Sequence, residues 1–179
     1  MNWTPNRRMA VIAIVIFAAD QLAKYLALQY LGPVQGGMSR EHVVVDGFFK
    51  LVLWGNTGAA WSLFHDSNEA LAIVSLLALL ALFIWRHKFD TSTLLGQCSL
   101  GLIFGGIIGN LFDRLDPHRA QVIDFLRFYL HKRSGDEVGF PAFNIADSAI
   151  CVGVGLLIIL SWKRESEMKN AQVAGATPQ

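Results

Sequence analysis

Charged residues are scarce in this chain of 179 residues: only 16% are Asp, Glu, Lys or Arg, whereas soluble domains carry about 25%. The net charge is +1 and no basic stripe with interleaved aromatic residues occurs, so we expect no nucleic-acid partner. The two cysteines, Cys98 and Cys151, lack a Cys or His at metal-ligand spacing, and we interpret both as small buried side chains. The sequence therefore predicts no metal and no cofactor.

Hydrophobic residues, by contrast, make up 53% of the chain and are gathered into long runs. A transmembrane helix needs roughly 17–25 such residues. Four runs are candidates, at about residues 9–31, 69–86, 93–113 and 144–162, the second only with help from flanking residues. We predict a mainly α membrane protein, with one integral-membrane domain over residues 1–168 and a disordered cytoplasmic tail over 169–179.

The orientation of these spans follows from where Lys and Arg are concentrated. Basic residues lie at the amino terminus, in the short second connection and after the fourth span: Arg7, Arg8, Arg86, Lys88, Lys163, Arg164 and Lys169. This pattern predicts that both termini are cytoplasmic. The long connections over residues 32–69 and 113–144 then face outward, although they also contain Lys and Arg, because long loops obey the rule weakly.

Each of the two outer connections carries a structural pattern. In the first, Val43–Val45 and Phe48–Trp54 flank the turn pair Asp46-Gly47, which predicts a β-hairpin with a two-residue turn. In the second, the apolar residues recur at helical spacing, which predicts a short amphipathic helix on the membrane surface; they are Val122, Phe125, Leu126 and Tyr129.

Two groups of polar residues lie within or beside the apolar runs. Asp20 and Lys24 are four residues apart on one helix face, so we predict a structural ion pair, with the positioning of neighbouring groups or direct chemistry as alternatives. Asn56 and Gly58 belong to a stretch of small residues. That stretch is either a turn or a place where an amide binds a peptide backbone that the small residues allow to approach.

A second polar group lies where the third run ends: Asn110, Asp113 and Arg114 share one helix face. Snorkelling to the interface would explain the arginine alone. It does not explain an amide, a carboxylate and a guanidinium that converge at one membrane edge. We therefore predict a polar site there.

Three further polar residues lie on the same side of the membrane. Asn144 and Asp147 begin the fourth run, and each has a local explanation, as a helix N-cap and as a favourable charge near a helix N-terminus. Those explanations weaken once Asp124 is placed at the same interface. Two carboxylates that meet can share one proton and activate water. No Ser–His or Cys–His pair offers a rival nucleophile.

Five segments carrying these residues, in this order, resemble the motifs of lipoprotein signal peptidase, or signal peptidase II. They are Asp20-Gln21-Leu22-Ala23-Lys24, Asn56-Thr57-Gly58-Ala59-Ala60, Gly109-Asn110-Leu111-Phe112-Asp113-Arg114, Val122-Ile123-Asp124-Phe125 and Phe143-Asn144-Ile145-Ala146-Asp147. The resemblance covers about residues 9–162. Two departures are Trp61, where phenylalanine is more usual, and a stretch over residues 131–140 that is longer than typical.

The resemblance implies a bacterial inner-membrane aspartic endopeptidase with four spans and an extracytoplasmic β-cradle. It would remove the signal peptide from diacylglyceryl-modified prolipoproteins by cutting before the lipidated cysteine. It makes Asp124 and Asp147 the catalytic dyad, with a polar or substrate-binding shell of Asn56, Gly58, Asn110, Asp113, Arg114 and Asn144. The expected partners are that substrate and membrane lipid, and we expect a monomer.

Two other functions fit the composition less well. A proton-coupled transporter or lipid-binding membrane protein would use Asp20, Lys24, Asp113 and Asp147 as a relay. It should show related halves or helices broken near the midplane, and no internal repeat is visible. A purely structural scaffold would leave Asp124, Asp147 and Arg114 without a purpose.

Overall fold

The computed structural model describes residues 3–32, 41–58 and 67–175. These residues form four long helices and one antiparallel sheet of four strands. In chain order the elements are α1 (Pro5–Leu31), β1 (His42–Val45), β2 (Phe49–Asn56), α2 (Asn68–Trp85), a short 3₁₀ helix (Arg86–Lys88), α3 (Leu94–Leu115), β3 (Val122–His131), β4 (Glu137–Gly139) and α4 (Ile145–Gly175).

The four helices are long and apolar enough to cross a membrane, which confirms the predicted multi-pass architecture. Helix α1 begins a few residues earlier than predicted because Thr4 caps it: the Thr4 side chain accepts a hydrogen bond from the Arg7 backbone N–H at 3.4 Å. Pro5 follows at the first helical position, where its missing N–H costs nothing. Gly32, with φ of 71°, ends the helix.

The predicted disordered tail is wrong over residues 169–175, because α4 continues as helix through Gly175. The residues after Trp162 are largely good helix formers, such as Lys, Arg, Glu and Met. Glu165 and Lys169 also form an i, i+4 ion pair with 2.6 Å between Oε1 and Nζ, which adds modest support to an exposed helix. Residues 176–179 lie outside the described residues.

Helix α3 is the centre of the bundle. In the most apolar stretch of α3, 61% of the residues are buried, whereas the corresponding stretches of α1 and α4 are each 17% buried. Helix α3 is therefore the helix that the others surround. Its glycines let α1 approach closely. A Cβ atom added at Gly105 would lie 2.7 Å from the Ala13 carbonyl oxygen, and one at Gly101 would lie 2.7 Å from the Ile12 Cβ.

Contacts at the two ends of the bundle fix the directions of the helices. Near the amino ends of α1 and α3, Arg8 Nη1 donates to Gln97 Oε1 at 3.4 Å. Near their carboxyl ends, Lys24 Nζ lies 2.6 Å from Asp113 Oδ2. The first turn of α4 meets this second end, because the Ala146 N–H donates to Asp20 Oδ1 at 3.0 Å. Helices α1 and α3 therefore run parallel, and α4 runs against them.

The predicted β-hairpin is present, but it is part of a larger sheet with the strand order β1-β2-β3-β4. The turn spans three residues rather than two, since Val45 pairs with Phe49. Gly47 takes the left-handed conformation that this turn needs, with φ of 68°. The Phe48 N–H donates to the Val45 carbonyl at 3.1 Å and closes the turn.

The predicted amphipathic helix of the second outer connection is wrong: Val122, Phe125, Leu126 and Tyr129 all lie on strand β3. The segment is rich in β-branched, aromatic and leucine residues, which fit a pleated surface between two neighbours. It pairs with β2 along much of its length and with β4 at its far end. The longer stretch over residues 131–140 supplies β4 and the turn before it.

Candidate active site

Asp124 and Asp147 are brought together by one residue, Asn144. Asn144 Nδ2 donates to Asp124 Oδ1 at 2.8 Å, and the Asn144 backbone N–H donates to Asp147 Oδ2 at 3.1 Å. In return the Asp147 N–H donates to Asn144 Oδ1 at 2.9 Å. This reciprocal pair caps the amino terminus of α4. Asn144 is thus the N-cap of α4, as predicted, and the same residue also connects the two carboxylates.

Asp124 lies on β3 at the point where β2 ends beside it. Asn56, the last residue of β2, donates its Nδ2 to Asp124 Oδ2 at 2.8 Å. The Gly58 N–H donates to Asn56 Oδ1 at 3.0 Å, so the carbonyl end of that amide is occupied and its NH₂ end faces the carboxylate. Each oxygen of Asp124 therefore has an amide donor.

The surroundings of Asp124 disfavour its charged form. Its side chain is only 3% exposed, and burial raises its pKa to about 7, with the negative charge of nearby Asp147 as a second cause. The two amide donors act in the opposite direction. A carboxyl group with a pKa near neutrality beside a second carboxylate is the arrangement in which one proton is shared.

Asp147 receives its remaining donor from α3. Asn110 Nδ2 donates to Asp147 Oδ1 at 2.7 Å. Arg114, one turn further on, interacts electrostatically with both Asp124 and Asp147. Its Nη2 donates to the Gly58 carbonyl at 3.2 Å and so ties the end of α3 to the chain after β2.

Behind this layer lies a buried cluster of ions. Lys24 Nζ lies 2.7 Å from Asp20 Oδ2 and 2.6 Å from Asp113 Oδ2, and all three side chains are 0% exposed. Arg119 Nη1 lies 2.7 Å from the other oxygen of Asp113. The predicted Asp20–Lys24 pair is therefore present within a larger network. Asp113 belongs to this network, one layer behind the two carboxylates that it was expected to surround.

Two residues that bind Asp113, Gln21 and Arg119, were not among the predicted site residues. Gln21 Nε2 donates to Asp113 Oδ1 at 3.1 Å and to the Gly109 carbonyl at 3.3 Å, and its Oε1 accepts from Arg119 at 3.2 Å. Gln21 could have been found because a second polar residue beside Asp20 interrupts an apolar span. Arg119 has no such signal, since it lies in a polar connection.

Part of the expected site lies outside the described residues, namely Ala59 and Ala60, which follow Gly58, and Trp61. Within the described part of the chain, no group of three or more His, Cys, Asp or Glu side chains could hold a metal ion. That no metal takes part in the reaction stays a prediction from the sequence.

Comparison with known proteins identifies the family. The sequence profile of the signal peptidase (SPase) II family matches residues 12–163. The chain belongs to the signal peptidase II family. Among its relatives, a lipoprotein signal peptidase of Syntrophotalea carbinolica is 34% identical over 166 residues, 91% of this chain and 96% of that protein. Another, of Anoxybacillus flavithermus, is 27% identical over 95% of this chain and 94% of that protein.

Solved structures agree with this membership of the signal peptidase II family. A bacterial membrane enzyme superposes with a TM-score of 0.74 and 29% identity, over 89% of this chain and 90% of that one. A second superposes with a TM-score of 0.68 and 29% identity, over 85% and 90%. The chain is thus a multi-pass membrane protein with the fold of these enzymes, and its family is one of proteases.

Proposed function

We propose that this protein removes the signal peptide from diacylglyceryl-modified bacterial prolipoproteins, cutting just before the lipidated cysteine, by aspartic catalysis. The observation that carries the proposal is the bridge made by Asn144, which binds Asp124 with its side chain and Asp147 with its backbone. Membership of the signal peptidase II family and the relatives named lipoprotein signal peptidase support the substrate class.

In this mechanism Asp124 supplies the proton and Asp147 acts as the base. Asp124 is the buried carboxyl with the pKa near 7. Asp147 accepts hydrogen bonds from the Asn110 side chain and the Asn144 backbone, and it lies in the first turn of α4, where the helix dipole favours a negative charge. The environments of the two carboxyl groups thus give each a different role.

The reaction needs only these two groups and one water molecule. Asp147 takes a proton from the water while the water oxygen attacks the scissile carbonyl carbon, and Asp124 gives its proton to the carbonyl oxygen. The tetrahedral diol then collapses. Asp147 gives its newly acquired proton to the leaving amine as the C–N bond breaks, and Asp124 recovers a proton from the diol hydroxyl, which restores the resting state.

The polar shell orients these groups. Asn56 and Asn110 each hold one oxygen of the dyad by a single amide donor. Arg114 provides positive charge beside both carboxylates and fixes the Gly58 carbonyl. We assign Gly58, which is buried and has no side chain, to the surface along which the peptide backbone approaches.

The position of the site suits a lipidated substrate. The dyad lies where α3 ends and α4 begins, so acyl chains on the adjacent cysteine remain in hydrocarbon, which stabilises binding by about 0.8 kcal/mol per buried CH₂. We place the enzyme in the bacterial inner membrane as a monomer, with both termini cytoplasmic and the dyad at the extracytoplasmic face. Membrane lipid and the prolipoprotein are its partners.

A comparison of two substrates tests this proposal. The purified protein in detergent is incubated with one prolipoprotein in its diacylglyceryl-modified and its unmodified form, and the products are weighed by mass spectrometry. The expected result is a lipidated product that begins at the modified cysteine, together with the free signal peptide. Cleavage at another bond, equal cleavage of the unmodified form, or no cleavage would overturn the proposal.

A further inference from the structure

The Asn110 side chain lies between the buried ion cluster and the dyad. Its Oδ1 accepts from Lys24 Nζ at 3.1 Å and from Asn144 Nδ2 at 3.1 Å. Its Nδ2 donates to Asp147 Oδ1 at 2.7 Å. One amide thus connects a lysine of α1 to one catalytic carboxylate directly and to the other through Asn144.

The side-chain amide of an asparagine can flip, so that its oxygen and nitrogen exchange places. At Asn110 the chemistry of the neighbouring groups prevents this flip. A lysine ammonium has donors only, and an ionised carboxylate has acceptors only. With Lys24 on one side and Asp147 on the other, the carbonyl of Asn110 must face the lysine and the NH₂ must face the carboxylate. The reversed amide would direct oxygen at a carboxylate and N–H groups at an ammonium, and in a buried site such mismatched groups are costly.

We propose that Lys24 is a positioning residue for proteolysis: it fixes the direction of the Asn110 amide, so that Asn110 donates to Asp147. The proposal rests on the function proposed above. It favours the positioning alternative over the structural ion pair predicted from the sequence, because the ammonium group also reaches the one amide that contacts the dyad from α3.

The remaining members of the cluster hold Lys24 in place. Asp20 and Asp113 flank its ammonium group at 2.7 and 2.6 Å, and Arg119 pairs with Asp113. Two carboxylates and two cations balance, so the charged lysine can remain buried at 0% exposure. A lysine fixed by two carboxylates presents its remaining N–H to Asn110 in one direction only.

The test compares two double variants that each remove one positive and one negative charge from the cluster. Lys24→Met with Asp113→Asn removes the donor to Asn110. Asp113→Asn with Arg119→Gln is the matched control, because it keeps Lys24 paired with Asp20. We expect kcat to fall ~10–100-fold in the first variant, as for other groups that orient a catalytic ligand, with KM within about threefold. The fold-decrease in kcat of the control should be at least ~10 times smaller than that of the first variant.

A second readout does not depend on turnover. With ¹⁵N-labelled asparagine, the Asn110 side-chain NH₂ should give two distinct, slowly exchanging signals in the native protein and in the control. It should give broadened or rapidly exchanging signals in the variant without Lys24. Lys24→Met with Asp20→Asn, which keeps the Asp113–Arg119 pair, replaces the first variant if that variant does not fold.

Equal losses of kcat in the two double variants, or unchanged Asn110 signals without Lys24, would overturn the inference. A native protein that cleaves no lipidated prolipoprotein would instead reject the proposed function. In that case the Asn110 signals still decide whether Lys24 fixes the amide.

Discussion

The two central carboxyl groups have the same chemistry and different surroundings. Asp124 is almost fully buried on a strand, between two amide donors. Asp147 is more exposed and lies in the first turn of α4, where it accepts from a backbone N–H and from Asn110. Burial raises the pKa of Asp124 to about 7, and the separation of roles between the two groups follows from this difference.

The pH dependence of activity should report the proton on Asp124. Since the proposed reaction needs Asp124 protonated, kcat/KM should fall as pH rises through about 7, where its pKa lies. The measurement is initial rates on lipidated substrate in detergent over a range of pH at which the protein stays folded. A rate that is constant well into alkaline solution would show that Asp124 does not supply the proton.

The stability of the folded protein should also depend on pH, because the pKa of Asp124 is raised. Because the folded-state pKa of Asp124 is raised from 3.8 to about 7, its contribution to stability is complete below the unfolded value and is lost as pH rises through the folded one. The unfolding temperature in detergent should therefore decrease between these two values. Asp124→Asn should reduce that decrease, and an identical pH dependence in the variant would contradict the raised pKa.

At the scale of elements, apolar runs predicted the helices well and one strand badly. The spans could be predicted because a membrane requires long apolar segments whatever their partners. Strand β3 begins with four consecutive buried residues, Val122, Ile123, Asp124 and Phe125, so the alternation that marks a half-buried strand is missing. The spacing of its apolar residues then fitted a helix, and only pairing with β2 and β4 excludes one.

The prediction of the site from the sequence has the same limit. Asn144 and Asp147 could be proposed because they begin the fourth apolar run, and Asp124 because the predicted topology places it at the same interface. The extension of the Asp20–Lys24 pair to Asp113 and Arg119 could not, since it joins α1 to α3 and to the connection beyond α3. Such a network depends on the packing of helices, which no local spacing specifies.

The packing of α1 on α3 depends on the glycines of α3. Gly105→Leu would force a side chain into the Ala13 carbonyl and Ile16, which lie 2.7 and 2.8 Å from the position of its Cβ. We expect a loss of about 1–3 kcal/mol or more in stability, measured as a lower unfolding temperature and folded yield in detergent. Gly155→Leu on α4 is the matched control, because beyond its chain neighbours and the nearby backbone of its own helix no described atom lies within 4 Å of its Cβ position. Equal stability of the two variants would show that α1 and α3 do not pack so closely.

At the scale of the whole molecule, the dyad lies at one end of the bundle, and one set of basic residues lies at the other. The dyad and the sheet lie where α1 and α3 end and α4 begins. The basic residues Arg7, Arg8, Arg86 and Lys88 lie near the other end, as do Lys163 and Arg164 on α4. The tendency of basic residues to remain in the cytoplasm predicts that the dyad faces outward.

Cysteine labelling in intact cells tests this orientation. In a protein lacking Cys98 and Cys151, Ser134→Cys in the turn before β4 should react with a membrane-impermeant thiol reagent. Ser166→Cys on α4 should react only after the cells are opened. Labelling of the second variant and not the first in intact cells would invert the topology.

The central claim is that Asp124 and Asp147 together cleave the substrate, and one measurement tests it most directly. The turnover of lipidated prolipoprotein is followed by mass spectrometry for the native protein, Asp124→Asn, Asp147→Asn and, as a control, Asp136→Asn in the exposed turn before β4. Each dyad variant should fold and insert normally and lose at least ~10²–10⁴-fold in kcat, while the control cleaves as the native protein does. Near-native turnover by either dyad variant would contradict the account.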